Sequence, residues 1–177
     1  MKLILINGPT GIGKSTVAKK IHEARPLSFL VDIDALRRYI SGYREYREES
    51  RGLSLLISEA IIDTYLKSNH DVVVDKVFTD AETVNSLIEL GKKHKAEVYE
   101  FVLNASKELV VERANVRGFR ENSLLTPEKV EMFWQKIQEY IRVRPEAIVI
   151  NIEKLNPEEV YQQLFLHLSV EKRKGAC

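Results

Sequence analysis

Eight consecutive residues, Gly8-Pro9-Thr10-Gly11-Ile12-Gly13-Lys14-Ser15, followed by Thr16, carry the clearest chemistry in the chain. They match the pattern G-x-x-x-x-G-K-[ST], in which each residue type has its own task. The glycines let the backbone curl until successive N–H groups face inward at phosphate oxygens. Lys14 brings positive charge to the β- and γ-phosphates of a nucleoside triphosphate, where negative charge accumulates during transfer. The Ser15 hydroxyl is a ligand type for Mg²⁺, and a helix opening there adds its positive dipole end. The plain alternative is a glycine turn that binds nothing. The loop lies, however, between an expected strand and an expected helix, the context the pattern requires. Residues 8–16 are therefore expected to bind the phosphates of ATP with Mg²⁺.

Three further groups could do chemistry beside such a loop. Asp32 and Asp34 are two residues apart, so in extended chain they project to the same side. Asp34 and Arg37 are three apart at an expected helix start and share a face. A carboxylate beside an arginine stays ionised and can accept a proton from an attacking hydroxyl. The plain alternative is that Asp34 only caps the helix. Val72-Val73-Val74-Asp75 delivers a carboxylate to the end of an apolar run, where it serves either a hard cation, an acceptor or a simple turn. Arg113, Arg117 and Arg120 fall in a stretch with Glu112 and Glu121 that Gly118 interrupts. They form either a phosphate-shielding group or a solvated helix face.

The elements that must position these residues alternate between apolar runs and helix-period stretches. Strands are expected at residues 3–7, 27–33, 72–74, 97–103 and 147–152. Helices are expected at 15–24, 34–41, 53–66, 79–93, from the Ser106 cap onward, 127–142 and 157–170. In the helix at 53–66, apolar residues at 53, 56, 57, 60, 61 and 65 approach the spacing of one buried face. Short apolar runs each followed by a helix imply a parallel sheet covered on both sides. Residues 39–52 (YISGYREYREESRG) are the least core-like piece: a solvated loop, a helix end carrying paired charges, or a flap facing a substrate.

Composition bounds the rest. The 177 residues suit one α/β domain, and 44% apolar against 30% charged residues allow a buried core. Lys and Arg number 27 against 26 Asp and Glu, a net charge of +1 that excludes a whole-surface cationic field for nucleic acid. The single Cys177 gives no disulfide framework. No apolar run approaches the roughly 18–20 residues of a membrane helix, and residues 3–6 are too short for a signal-peptide core. A cytoplasmic location is expected. The four histidines have no metal-ligand spacing and are expected at the surface, and Trp134 is expected in the core.

With the loop and the Asp34-x-x-Arg37 element together, the chain resembles the P-loop NTPase superfamily. Within it, the likeness is to small kinases of AAA type: chloramphenicol-phosphotransferase-like, adenylylsulfate-kinase-like and polynucleotide-kinase-like enzymes. The resemblance implies a three-layer α/β fold with a five-stranded parallel sheet in the order 2-3-1-4-5, a helical lid at 113–126 and a flap at 39–52. It implies Asp34 as general base, Arg37 as an acceptor-site cation, Asp32 as a helper at Mg²⁺ and Asp75 at either metal or acceptor. It implies Arg117 first, then Arg113, as lid arginines over ATP, and the turn at 151–156 as the place where adenine is held through the backbone. The expected activity is transfer of the γ-phosphate to a hydroxyl of a small molecule.

Other readings stay in view. A 5′-hydroxyl of a nucleic acid could use Arg37, Arg38, Arg44, Arg47 and Arg51, though Glu45, Glu48 and Glu49 interleave with them. A regulatory ATPase would lack an acceptor, and a scaffold module would bind nucleotide only. A GTPase would need Asn-Lys-x-Asp, which is absent. A shikimate-kinase assignment would need a glycine triplet after the third strand, where Val74-Asp75-Lys76-Val77-Phe78 stands instead.

Overall fold

A computed structural model of the chain describes residues 1–118 and 126–169, with the side chain of Arg117 also outside the description. The first strand, β1 (Lys2–Asn7), runs into the glycine loop and then helix α1 (Lys14–Glu23). Strand β2 (Phe29–Asp32) follows, with α2 (Ile33–Arg38) and α3 (Arg47–Lys67). Strand β3 (Val72–Asp75) leads to α4 (Ala81–Lys93), and β4 (Glu97–Asn104) leads to α5 (Lys107–Arg117). The chain closes with α6 (Pro127–Val143), β5 (Ile148–Asn151) and α7 (Pro157–Ser169).

All five strands are parallel, in the order β2-β3-β1-β4-β5. Alternation along β1 builds the layers, since successive side chains leave opposite faces of a strand. Ile4 and Ile6 pack with Val17 and Ile21 of α1, Val110 of α5 and Leu164 of α7. Leu3 and Leu5 pack with Ile62 of α3, Leu87 of α4 and Ile137 of α6. A sheet buried on both faces explains why its strands are continuous apolar runs. The C-terminal ends of β1, β2 and β3 then come together on one edge, with Asp32 paired in register with Asp75 and Ile6 with Asp75.

Two expectations need correction. Helix α3 begins at Arg47 rather than at 53, so the second part of the 39–52 stretch is a charged helix end, one of the readings given for it, and only residues 39–46 are turns. Its first half is also rotated relative to the apolar spacing: Leu53, Leu56 and Ile57 are exposed, while Ser50, Ser54 and Ser58 are buried. Each of these serines stays buried at low cost by donating its hydroxyl to the carbonyl three residues earlier, Arg47, Arg51 and Leu55. The second correction concerns α2, which begins at Ile33 with Asp32, not Asp34, as its cap; Asp32 Oδ1 accepts the Ala35 N–H at 2.8 Å.

On the Leu3/Leu5 face a buried polar cluster ties α6 to the sheet. Glu100 of β4 accepts from the Tyr140 hydroxyl at 2.6 Å and from the Arg144 guanidinium, which also donates to Asn85 at 2.6 Å. Burial and the bond to Glu100 push the Tyr140 phenol well above its ordinary range, so it stays a donor. Trp134 of α6 donates from Nε1 to the Ala105 carbonyl at 2.9 Å and packs against the core.

Candidate phosphoryl-transfer site

Residues 8–13 turn between β1 and α1 with left-handed backbone at Gly8, Gly11 and Gly13. A Cβ at Gly8 would stand 2.6 Å from the Leu103 carbonyl, so the close approach of β4 demands glycine there. At Gly13 (φ +106°) the direction of a Cβ faces open space, with no atom within 4 Å, so the loop presents backbone to an open cradle. Lys14 is 8% exposed, and its ammonium reaches back across the loop to the Pro9 carbonyl at 3.0 Å. This geometry fits a triphosphate: open space at Gly13, a lysine held over the loop and a helix N-terminus at its end.

Asn7, which the sequence reading passed over, fixes the loop's entry. Its buried Oδ1 accepts the Gly8 N–H at 2.7 Å and the Phe78 N–H at 2.9 Å, while its Nδ2 donates to the Phe78 carbonyl at 3.0 Å. The loop is thereby joined to the segment after β3. The signal in the sequence that could have found it is an asparagine closing an apolar run directly before a glycine loop.

Asp75 ends β3 beside the loop and is buried. Burial pushes its carboxyl above the ordinary value of 3.8, against the opposing pull of Lys14 and a hydrogen bond with Ser15, while Asp32 and Asp34 push it further up. The four groups that act on Asp75 are thus the four expected at the site. Ser15, Asp32 and Asp75 fit a hard cation that binds one or two carboxylates and keeps its other positions for phosphate and water. No cluster of three or more metal-type side chains occurs among the described residues.

Asp34 projects from the first turn of α2 and is 61% exposed. Lys76 Nζ stands 3.2 Å from its Oδ1. Arg37 turns toward the flap: it donates to Ser50 Oγ at 2.9 Å, the Arg47 carbonyl at 2.7 Å and the Tyr43 carbonyl at 3.3 Å. Arg113, half-buried on α5, donates to the Ile12 carbonyl of the loop at 3.3 Å. Arg117 closes α5, while Arg120 and residues 119–125 of the expected lid lie outside the described residues.

A cleft of about 500 Å³ opens beside the loop. Gly11, Gly13 and Thr16 line one wall, Leu109 and Arg113 of α5 a second, and Ile152 and Leu155 a third. The third wall is the turn expected to hold adenine. It is tied to α5 by Glu153, whose carboxylate accepts the Ser106 N–H at 2.7 Å and hydroxyl at 2.8 Å; those bonds hold Glu153 below the usual carboxylate range. Of the histidines, only His167 is exposed as expected; His22, His70 and His94 are half-buried, His22 at 2.9 Å from Ser28 Oγ and His94 at 2.8 Å from Asp63 Oδ1.

Strand order, loop and flanking carboxylates define a P-loop kinase-like protein. A family model described as an AAA domain matches residues 3–140, and the chain belongs to that family. A cytidylate kinase of Alkaliphilus oremlandii is 23% identical over 171 residues, covering 88% of this chain and 76% of that protein. Among solved structures, a gluconokinase from Sinorhizobium meliloti superposes with a TM-score of 0.64 at 20% identity, covering 94% of this chain and 91% of the other. A tunicamycin resistance protein from Deinococcus radiodurans gives 0.63 at 19% identity, covering 96% and 97%. No helix among the described residues is long and apolar enough to cross a membrane.

Proposed function

We propose that the protein is an ATP-dependent phosphotransferase of the cytoplasm that moves a γ-phosphoryl group to a hydroxyl of a small molecule. One observation carries this reading. Asp75 stands in register with Asp32 and with Ile6, just before the glycine loop, and the next residue, Lys76, bonds Asp34, which supports a common site for loop and candidate base.

In this reading ATP lies with its phosphates on residues 8–16 and its base in the cleft along Leu109, Ile152 and Leu155. Mg²⁺ would be held by Ser15 and Asp32, with Asp75 toward metal or acceptor, and would neutralise phosphate charge. Asp34 orients the acceptor hydroxyl and receives its proton. The acceptor oxygen forms the new bond to the γ-phosphorus, the bond from that phosphorus to the bridging oxygen breaks, and ADP leaves with the electron pair. Lys14 stays over the β- and γ-phosphates as charge builds, and Arg113, already bonded to the loop carbonyl of Ile12, adds positive charge on the nucleotide side. Residues 39–52, held by Arg37, form the acceptor side.

The test is turnover of ATP with Mg²⁺ in the presence of pooled nucleosides, sugars, hydroxy acids, aminoglycosides and 5′-hydroxyl oligonucleotides, with mass spectrometry for a gain of one phosphoryl group. A gain on a small acceptor's hydroxyl, lost in Asp34→Asn, supports the reading. Acceptor-independent hydrolysis points to a regulatory ATPase, and a labelled oligonucleotide points to a polynucleotide kinase. The cytidylate kinase relative favours a second reading, in which the acceptor is a nucleotide's own phosphate. That reading predicts a gain on the phosphate of CMP, with little dependence on Asp34.

A further inference from the structure

Lys76 follows Asp75 directly, and its side chain is only 15% exposed. Its backbone is fixed at both sides: Lys76 N–H donates to the Ile6 carbonyl at 3.4 Å, and two residues later Asn7 clamps Phe78. An ammonium has three N–H donors. Among the described residues Lys76 Nζ spends one, on Asp34 Oδ1. Among the described residues its counter-charge is the carboxylate assigned as proton acceptor. That carboxylate is itself 61% exposed, so a largely buried ammonium has two donors left to point at whatever lies beside Asp34. Arg37, one helical turn from Asp34, adds a second positive charge, since among the described residues its guanidinium meets the neutral oxygens of Tyr43, Arg47 and Ser50.

We propose that the acceptor carries an anionic oxygen group, a carboxylate or a phosphate, close to the hydroxyl that is phosphorylated, and that Lys76 is the residue that selects it. The proposal rests on the hydroxyl-kinase reading above and names the substrate class of that same site. With such an acceptor bound, the two remaining donors of Lys76 meet the anion while the third keeps Asp34 Oδ1 in place. Charge-assisted hydrogen bonds of this kind are strong enough to discriminate an anionic acceptor from its neutral twin by about tenfold or more.

The test compares wild type, Lys76→Met and Lys76→Arg on matched acceptors: hydroxy acids against their primary amides, and nucleoside 5′-monophosphates against the parent nucleosides. With wild type, the charged member of one series should show a kcat/KM at least about tenfold above its neutral twin, and which series does so separates carboxylate from phosphate. In Lys76→Met that ratio should fall toward one, chiefly through KM of the charged acceptor, and Lys76→Arg should restore part of it. Equal use of charged and neutral twins by wild type overturns the proposal while leaving the kinase reading intact. An equal loss on both twins in Lys76→Met, with the ratio kept, also overturns it, because Lys76 would then only hold Asp34. A phosphoryl gain located on the monophosphate's own phosphate, or no gain on any acceptor, overturns both readings.

Discussion

Asn7 and Phe78 are joined by a two-way bond: Asn7 Oδ1 accepts the Phe78 N–H at 2.9 Å and Asn7 Nδ2 donates to the Phe78 carbonyl at 3.0 Å. The same Oδ1 takes the Gly8 N–H at 2.7 Å. One side chain therefore sets the distance between the phosphate loop and the segment bearing Asp75 and Lys76. Asn7→Ala strands buried backbone donors and an acceptor, each orphan costing about 1–3 kcal/mol. Urea denaturation of the ligand-free protein should show a loss of at least about 2 kcal/mol, larger than an exposed polar-to-Ala change produces. ATP affinity should fall with it, because the loop loses its anchor.

Asp75 should lower the stability of the ligand-free protein at neutral pH. Burial raises its carboxyl above 3.8, so the folded chain holds that proton more tightly than the unfolded chain does. Stability therefore falls as pH rises through the window from 3.8 to the raised folded value, and the cost is fully present above it. Asp75→Asn should melt above wild type at pH 7 without ligands, and the gap should close as pH falls toward 3.8. Added Mg²⁺ and ATP should then stabilise wild type more than the variant, since only wild type keeps the charged ligand. Thermal melts over a pH series, with and without Mg·ATP, check both halves.

The cluster of Glu100, Tyr140 and Arg144 gives a prediction away from the chemistry. Arg144 and Glu100 are each 6% exposed at the side chain. Glu100→Gln leaves a buried guanidinium whose remaining carboxylate is the exposed Glu146 at 2.9 Å. The expected loss is about 3–5 kcal/mol. Tyr140→Phe leaves that ion pair in place and should cost nearer 1 kcal/mol. Equal losses in chemical denaturation would contradict this ordering.

The pieces legible in the sequence are those set by local rules. Residues 8–15 declare themselves because only glycine suits the backbone beside Leu103 and at Gly13, and the five strands because a doubly covered sheet needs unbroken apolar runs. The bonds of Arg37 to Tyr43, Arg47 and Ser50 were not legible, since they depend on how α3 approaches α2. Periodicity misled on α3 itself: small serines let it pack closely on its polar face, so Leu53, Leu56 and Ile57 are left outside. Lys76 is equally silent in sequence, because its partner Asp34 lies on the neighbouring strand's helix, 42 positions away.

Asp32 and Asp34, two residues apart, should separate cleanly by substitution. Asp32 Oδ1 caps α2 through the Ala35 N–H, so Asp32→Ala removes a cap worth about 1 kcal/mol. Asp32→Asn keeps an oxygen in that position and should recover most of the stability while weakening the response to Mg²⁺. Asp34 is mostly solvent-exposed and caps nothing, so Asp34→Asn should leave the denaturation midpoint within the usual small range for surface changes, about 0.5 kcal/mol. Its effect should fall on acceptor phosphorylation instead, by roughly a hundredfold or more if it receives the proton. Denaturation curves and single-turnover transfer measured on the same four proteins, wild type included, set stability and chemistry side by side. An Asp34→Asn variant that transfers phosphate at the wild-type rate would remove the base assignment, and a larger loss of stability there than in Asp32→Ala would reverse the two roles.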